Sequence, residues 1–159
     1  MNADSTALVI VYSYHHNSTQ KVAEVIAHTL GAAIKHPNEV SPETIPQYHL
    51  LGLGAGIDSG KHYAPLLAFA QSLPVVQNTA AFIFSTCGVY GKAKMGRDHQ
   101  ALRNILQRKG FTILDEFSCL GFNTNSFLKF LGGINQGKPD AADLQRAVDF
   151  ARNLTVPIS

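Results

Sequence analysis

The chain has 159 residues, 45% of them hydrophobic and 15% charged, with a formal net charge of +2. That length suits one domain spanning 1–159 with a sizeable core, and the composition excludes disorder. The thirteen basic residues are scattered rather than striped along a face, which excludes a nucleic-acid-binding surface.

Residues Met1 to Thr6 carry no basic cluster before the first apolar run, and that run is too short for a signal or membrane helix. A cytoplasmic protein with no membrane partner is expected. Cys87 and Cys119 each lie in or just after an apolar run and read as reduced strand-end thiols, in keeping with that location.

Ala7-Leu8-Val9-Ile10-Val11-Tyr12 is an unbroken apolar run, which predicts a strand buried on both faces at the centre of a parallel sheet. Ser13-Tyr14-His15-His16-Asn17-Ser18-Thr19 follows, and from Thr19 onward Val22, Ile26 and Leu30 recur four apart until Gly31. This spacing predicts a helix with one face on the sheet. The loop between strand and helix holds hydroxyls, imidazoles and an amide but no carboxylate. At that place the N–H groups and positive end of a helix favour an anion, such as a phosphate monoester. Ser18 or Asn17 also suits a helix cap, and the two roles are compatible.

Ala32 to Lys35 reads as a short strand, and residues 36–47, with Pro37, Pro42 and Pro46, as loop. Tyr48 to Leu53 is the next strand, running into a glycine-bearing loop from Gly54 to His62. A helix with Leu66, Leu67, Ala70 and Leu73 on one side stops at Pro74. Thr79 to Ser85 predicts another buried strand, ending in the loop Thr86-Cys87-Gly88-Val89-Tyr90-Gly91. Asp98 opens a helix with Leu102, Ile105 and Leu106 inward, closed by Lys109-Gly110, and Phe111 to Cys119 is the last strand. The final helix runs from about Asp140 to Leu154, with Leu144, Val148 and Ala151 inward and Asp140 and Asp143 in its first turn.

Five strands alternating with four clear helices predict an α/β fold: a doubly wound parallel sheet of order 2-1-3-4-5, with right-handed crossovers and helices on both faces. Ligands of such sheets bind beyond the carboxyl ends of the strands at the switch point. The three loops singled out follow the first, third and fourth strands, which are adjacent in that order. A phosphate site, a three-glycine turn and a tyrosine between two glycines suit a phosphate joined to a flat ring.

On these features the chain resembles a flavodoxin-family protein binding FMN, over almost its full length. The resemblance rests on the strand and loop ending in Ser18-Thr19 before a helix, on the Gly56 to His62 loop, and on Thr86-Cys87-Gly88-Val89-Tyr90. It implies that Ser13, His15, His16, Asn17, Ser18 and Thr19 grip the phosphate of FMN. By the same resemblance Gly56, Ile57, Ser59 and Gly60 on one side, and Thr86, Cys87, Gly88, Val89, Tyr90 and Gly91 on the other, flank the isoalloxazine ring, with Tyr90 stacked on it.

The implied function is electron transfer to or from a protein partner, with the flavin doing the chemistry and no side-chain acid or base required. A backbone turn at Gly56 to Gly60, or at Gly88, would tune flavin N5 through a peptide flip that glycine permits. His16 and Asn17 stand where flavodoxins commonly carry threonine and glycine. Asparagine tolerates the left-handed backbone of such a loop, and the histidines add charge at mildly acid pH. Flavodoxins are typically strongly acidic, whereas this chain has a pI of about 8.6, which points to a different partner.

The runner-up keeps FMN and makes the protein an NAD(P)H- or quinone-dependent oxidoreductase, with a substrate pocket built by Gly121 to Lys138. Phe122, Phe127, Leu128, Phe130 and Leu131 crowd into that stretch without a strand pattern. It suits a cover over the ring, a pocket, a homodimer surface or a short helix, Ser126 to Leu131, that plugs the core. A third reading is a flavodoxin-like binding domain without flavin.

Other chemistries fail on single positions. A P-loop at Ala55 to His62 lacks its first glycine and has His62 in place of the Mg²⁺-binding hydroxyl, and a dinucleotide fingerprint lacks its third glycine at Ser59. A thiol phosphatase on Cys87 lacks its arginine, Ala93 standing there. A phosphoryl-receiver domain lacks the acidic pair at the end of the first strand. The seven histidines show no paired spacing for a metal.

Overall fold

Strand β1, Ala7–Tyr12, is buried almost throughout, as its uninterrupted apolar sequence requires. The computed structural model describes residues 6–13, 17–121 and 137–154. After β1 come helix α1 (Ser18–Leu30), strand β2 (Ala33–Lys35), two 3₁₀ turns (Pro37–Glu39 and Pro42–Gln47), β3 (Leu50–Asp58), β4 (Lys61–His62) and α2 (Ala64–Gln71). The chain continues through β5 (Thr79–Cys87), α3 (Lys92–Asp98), α4 (Gln100–Arg108), β6 (Phe111–Leu120) and α5 (Ala141–Asn153).

Five strands pair in parallel in the order β2-β1-β3-β5-β6, and β4 folds back antiparallel on β3. With that hairpin strand set aside, this is the doubly wound order 2-1-3-4-5, with helices on both faces. On one face Leu8, Ile10, Leu53 and Ile83 meet Leu66 of α2 and Leu102 and Leu106 of α4. On the other Val9, Val11, Phe82 and Phe84 meet Val22 and Ile26 of α1 and Ala147 and Ala151 of α5. Among the described residues no helix is long and apolar enough to cross a membrane.

Three elements differ from the sequence expectation. Strand β3 does not stop at Leu53 but runs on through Gly54, Ala55, Gly56 and Ile57, so Gly56 and Ile57 lie in a strand and not in a loop. Glycine is a poor strand former, yet here it is paired on both sides, Gly54 with Val11 and Phe84, and Gly56 with Thr86. A Cβ at Gly52 would overlap the Phe82 ring, and one at Gly54 the Phe84 ring. The glycines are spaces for aromatic rings. The loop that remains is a two-residue hairpin turn in which Ser59 (φ 55°) and Gly60 (φ 80°) are both left-handed, the geometry that matches strand twist.

Thr86 and Cys87 likewise belong to β5, paired with Cys119 and Leu120 of β6. Asp98 does not open α4. It ends α3, where it is buried and paired with Lys94. Helix α3 is too short and too polar for apolar periodicity to announce it. Helix α5 begins as expected, with Asp140 accepting from the Asp143 N–H in a reciprocal cap.

Gly54→Ala should lower unfolding free energy by about 1–3 kcal/mol, the usual cost of overpacking a filled core, measured by urea titration. Pairing it with Phe84→Leu, which shrinks the obstructing ring, should recover part of the loss.

Candidate functional site

The carboxyl ends of β1, β3, β5 and β6 meet at one edge of the sheet, and the start of α1 lies over them. Asn17 precedes α1 in the left-handed conformation (φ 53°, ψ 28°), as the asparagine there was expected to allow. Its side chain makes no cap hydrogen bond to the helix, and no acid stands in the first turn. Ser18 and Thr19 are buried beneath it. At the end of β1 the Ser13 Oγ is buried without a hydrogen-bond partner, as is the Gln20 Oε1 in the first turn of α1. Buried polar atoms are seldom left unsatisfied, so these two point to a group that the protein binds.

Thr19 and Thr86 join α1 to β5 through a buried hydroxyl–hydroxyl bond of 2.7 Å. Two hydroxyls carry two hydrogens and the bond uses one, so the second remains for an acceptor at this edge. Gly121 closes the cluster from β6. Its N–H donates to the Cys87 carbonyl at 2.9 Å, and a Cβ there would stand 3.0 Å from the Thr86 Cβ and 3.1 Å from the Ser18 Cβ. In the sequence Gly121 stands only as the first residue of the segment expected to build a pocket, and its packing against Thr86 and Ser18 was not foreseen.

The hairpin and the loop after β5 flank this cluster. Gly56 lacks a side chain where the Tyr63 ring lies, and Tyr63 meets Tyr12 edge-on at 6.0 Å. Val89 and Tyr90 are exposed, and Arg146 of α5 sits over the Tyr90 ring at 5.7 Å from its centre while holding Asp143 at 2.5 Å. Of the residues singled out in the sequence, Ser13, Asn17, Ser18, Thr19, Gly56, Thr86, Cys87 and Gly88 gather at the strand ends. Ser59 and Gly60 form the hairpin tip, and Val89, Tyr90 and Gly91 the neighbouring loop. His15 and His16, and the segment 122–136, lie outside the described residues.

A second polar group, invisible in the sequence, runs under α3 and α4. His99 is fully buried. Its Nδ1 meets Glu116 Oε1 at 2.9 Å and its Nε2 meets Ser85 Oγ at 2.7 Å. Arg103 grips the same carboxylate with two N–H groups at 2.6 and 2.7 Å. Ser85 Oγ lies 3.1 Å from Ser118 Oγ, which lies 3.5 Å from Cys87 Sγ. The His62 ring lies tilted against that of His99, with ring centres 4.8 Å apart. Only an apolar strand position (Ser85), a helix start (His99) and a polar strand end (Glu116, Ser118) stand in the sequence, and no spacing links them.

Burial acts to raise the Glu116 pKa, but hydrogen bonds from Arg103 and His99 outweigh it and hold the group at about 2. Burial, aided by His99, lowers the His62 pKa to about 3. The Phe84 carbonyl can only accept, so His62 carries its proton on Nε2, 3.0 Å away, and keeps Nδ1 bare. Burial raises the Cys87 thiol and pushes Cys119 up to about 12.

The fold is flavodoxin-like, and its candidate site is an anion-accepting strand-end cluster. No family model matches the chain. It is 40% identical over 148 residues to an uncharacterized protein of Methanocaldococcus jannaschii, covering 93% of this chain and 97% of that one, and belongs to the same family. Among solved structures it is similar to flavodoxin 1 of Bacillus cereus, with TM-score 0.67 and 18% identity over 96% of this chain and 99% of that one. It is also similar to an NADH:FMN oxidoreductase in its apo form, with TM-score 0.60 and 20% identity over 96% and 91% of the two chains.

His62 and Glu116 are the buried and half-buried groups that contribute to acid stability. His62 titrates at its ordinary 6.5 when unfolded and about 3 when folded, so the unfolded chain binds the proton first. Stability is therefore fully present above pH 6.5 and falls as pH drops toward 3, by at most about 1.4 kcal/mol per pH unit for one group. Glu116 adds a second loss from its ordinary 4.5 down to about 2. His62→Gln, which keeps a donor for the Phe84 carbonyl, should flatten the upper window in urea titrations run from pH 7 to 4 while leaving the lower one.

Proposed function

We propose that the chain binds FMN at the strand-end cluster and carries electrons to or from a protein partner in the cytoplasm. One observation carries the reading. A helix start with left-handed Asn17 and no bond from its own side chain, the unpartnered buried Ser13 hydroxyl and the spare hydrogen of the Thr19–Thr86 pair all belong to the same carboxyl edge of the sheet. A phosphate monoester, rich in acceptors and doubly charged, satisfies all three. The residues present thus fit the cofactor named for structures of this fold.

When bound, FMN supplies the redox chemistry. In this reading Ser13, Asn17, Ser18 and Thr19, with His15 and His16, hold the phosphate. The hairpin from Gly56 to Gly60 and the loop from Thr86 to Gly91 border the ring. The Ser59–Gly60 turn already uses left-handed backbone, so it can present a peptide group to the ring edge. The exposed Val89 and Tyr90 are followed two residues on by the exposed Lys92 that opens α3, a rim with apolar contact area and positive charge. Such a rim suits a partner with an acidic docking surface.

Flavin fluorescence should quench saturably when the protein is titrated into FMN. Ser13→Ala should weaken binding by about tenfold, or about 1.4 kcal/mol, without loss of folding stability, because the wild-type hydroxyl makes no internal bond. Thr19→Val should weaken binding and destabilise together, since it also strands Thr86. Absence of quenching at micromolar protein would sink the flavin reading. Rapid NADPH oxidation by the FMN-loaded protein without a protein acceptor would replace the carrier with the oxidoreductase that the second solved structure exemplifies.

A further inference from the structure

One buried polar atom at the start of α1 is left over by a phosphate, the Oε1 of Gln20, which takes no hydrogen bond. Gln20 is the third residue of α1, after Ser18 and Thr19. Helical side chains lean toward the N-terminus of their own helix, so its amide lies over the first turn, at the end of α1 where the phosphate is proposed to sit.

A glutamine or an acid at this position ordinarily closes the helix start by accepting from the N–H of the residue three before it. Two other starts in this protein do so, at α5 and at the first 3₁₀ turn. Asp143 accepts from the Asp140 N–H at 3.0 Å, and Glu39 from the His36 N–H at 2.7 Å. At α1 the bond is not made. Asp140 and His36 are extended, whereas Asn17 in the same place is left-handed (φ 53°, ψ 28°), and the Gln20 oxygen stays unpaired.

Donors and acceptors at this edge do not balance for a bare phosphate. The Ser13 hydroxyl, the spare hydrogen of the Thr19–Thr86 pair and the backbone of a helix start all donate. The Gln20 oxygen can only accept. A doubly charged phosphate monoester has no hydrogen to give it, and a positive helix end with no acid in its first turn favours that form. The hydrogen therefore comes from elsewhere on the ligand. An O–H on the carbon chain that carries the phosphate is covalently held beside it. A site that bonds such an O–H rejects the analogue lacking it, because its own polar group is then stranded.

We propose that Gln20 is a specificity residue that accepts a hydrogen bond from a hydroxyl of a polyol phosphate, on the chain next to the phosphate group. This rests on the reading above that the strand-end cluster binds a phosphate monoester. FMN, whose phosphate hangs on a hydroxylated chain, meets the requirement. A phosphate on a plain alkyl chain satisfies Ser13 and the threonine pair but leaves Gln20 without a donor.

The test compares ligands that differ only in hydroxyls. Glycerol 3-phosphate and propyl phosphate are titrated into the full chain and followed by ³¹P NMR at pH 8, where a phosphate monoester holds no proton. The wild type should bind glycerol 3-phosphate about tenfold more tightly, the effect of one buried acceptor paired rather than stranded. In Gln20→Met, which keeps the length and removes the acceptor, the preference should vanish, with propyl phosphate bound no more weakly than by the wild type. Ser13→Ala should weaken both ligands alike. The urea midpoint of ligand-free Gln20→Met should not fall, because the wild-type oxygen makes no internal bond, and Gln20→Leu provides a second apolar variant. Equal affinities in the wild type, or a preference that survives in Gln20→Met, overturn the specificity role. Equal weakening of both ligands in Gln20→Met also overturns it and marks a residue that merely holds the helix start. FMN and an isoalloxazine bearing its phosphate on an unhydroxylated pentyl chain repeat the comparison by fluorescence. If neither flavin quenches while the Gln20-dependent preference for glycerol 3-phosphate persists, the FMN reading falls and the role of Gln20 stands. If both flavins quench with equal affinity, FMN binding stands and the role of Gln20 falls.

Discussion

The architecture depends on how closely β3 lies between β1 and β5. Gly52 and Gly54 of β3 leave the volume that the Phe82 and Phe84 rings of β5 occupy, and every strand residue from Leu50 to Gly56 pairs with β5. Because the ladders on both sides of β3 remain in register to the end, the last residues of β1, β3 and β5 finish together. Tyr12 pairs with Ala55, and Gly56 with Thr86. That shared finish places the Ser13 hydroxyl, the start of α1 and the Thr86 hydroxyl within one cluster. An open β3 loop, as the glycines alone suggest, would leave the cluster without a wall.

The two faces of the sheet divide the labour. Towards α1 and α5 the ends of β5 and β6 present Phe82, Phe84, Phe117 and Cys119, an apolar floor closed by stacked and edge-on rings. Towards α3 and α4 the same strands present Ser85, Cys87, Glu116 and Ser118, and the helices answer with His99 and Arg103. The alternation of side chains along a strand makes this segregation possible. One strand end thereby touches an anion site through Thr86 and a buried polar series through its neighbours Ser85 and Cys87.

What could be read beforehand follows from the range of the forces. The strands of the core and the order of the sheet come from local apolar runs and from connection rules, and both appear in the structure, whereas the second and third loops begin later than those runs suggest. That Ser13, Asn17 and Thr19 stand at the end of β1 was legible because they fall between an apolar run and a helical one, and Thr86 because it closes another apolar run. The extent of β3 was not legible: glycine's local preference opposes a strand, and only Phe82 and Phe84, some thirty residues on, reverse it. The hydrogen bonds from Ser85 to His99 and Glu116 were hidden for the same reason, since three residues on a strand, a helix and another strand meet only after the sheet has formed.

A buried ionic group rarely justifies itself by stability. Desolvating Glu116, His99 and Arg103 costs about as much as their mutual attraction returns, and well-packed apolar residues in the same space would generally hold the sheet as firmly. A purely structural role also accounts poorly for the form of the group. A clamp between α4 and β6 needs only Arg103 and Glu116, which already bond through two N–H groups. The additional members, His99, Ser85, Ser118 and Cys87, extend away from the clamp, each joined to the next, as far as the loop that carries Val89 and Tyr90.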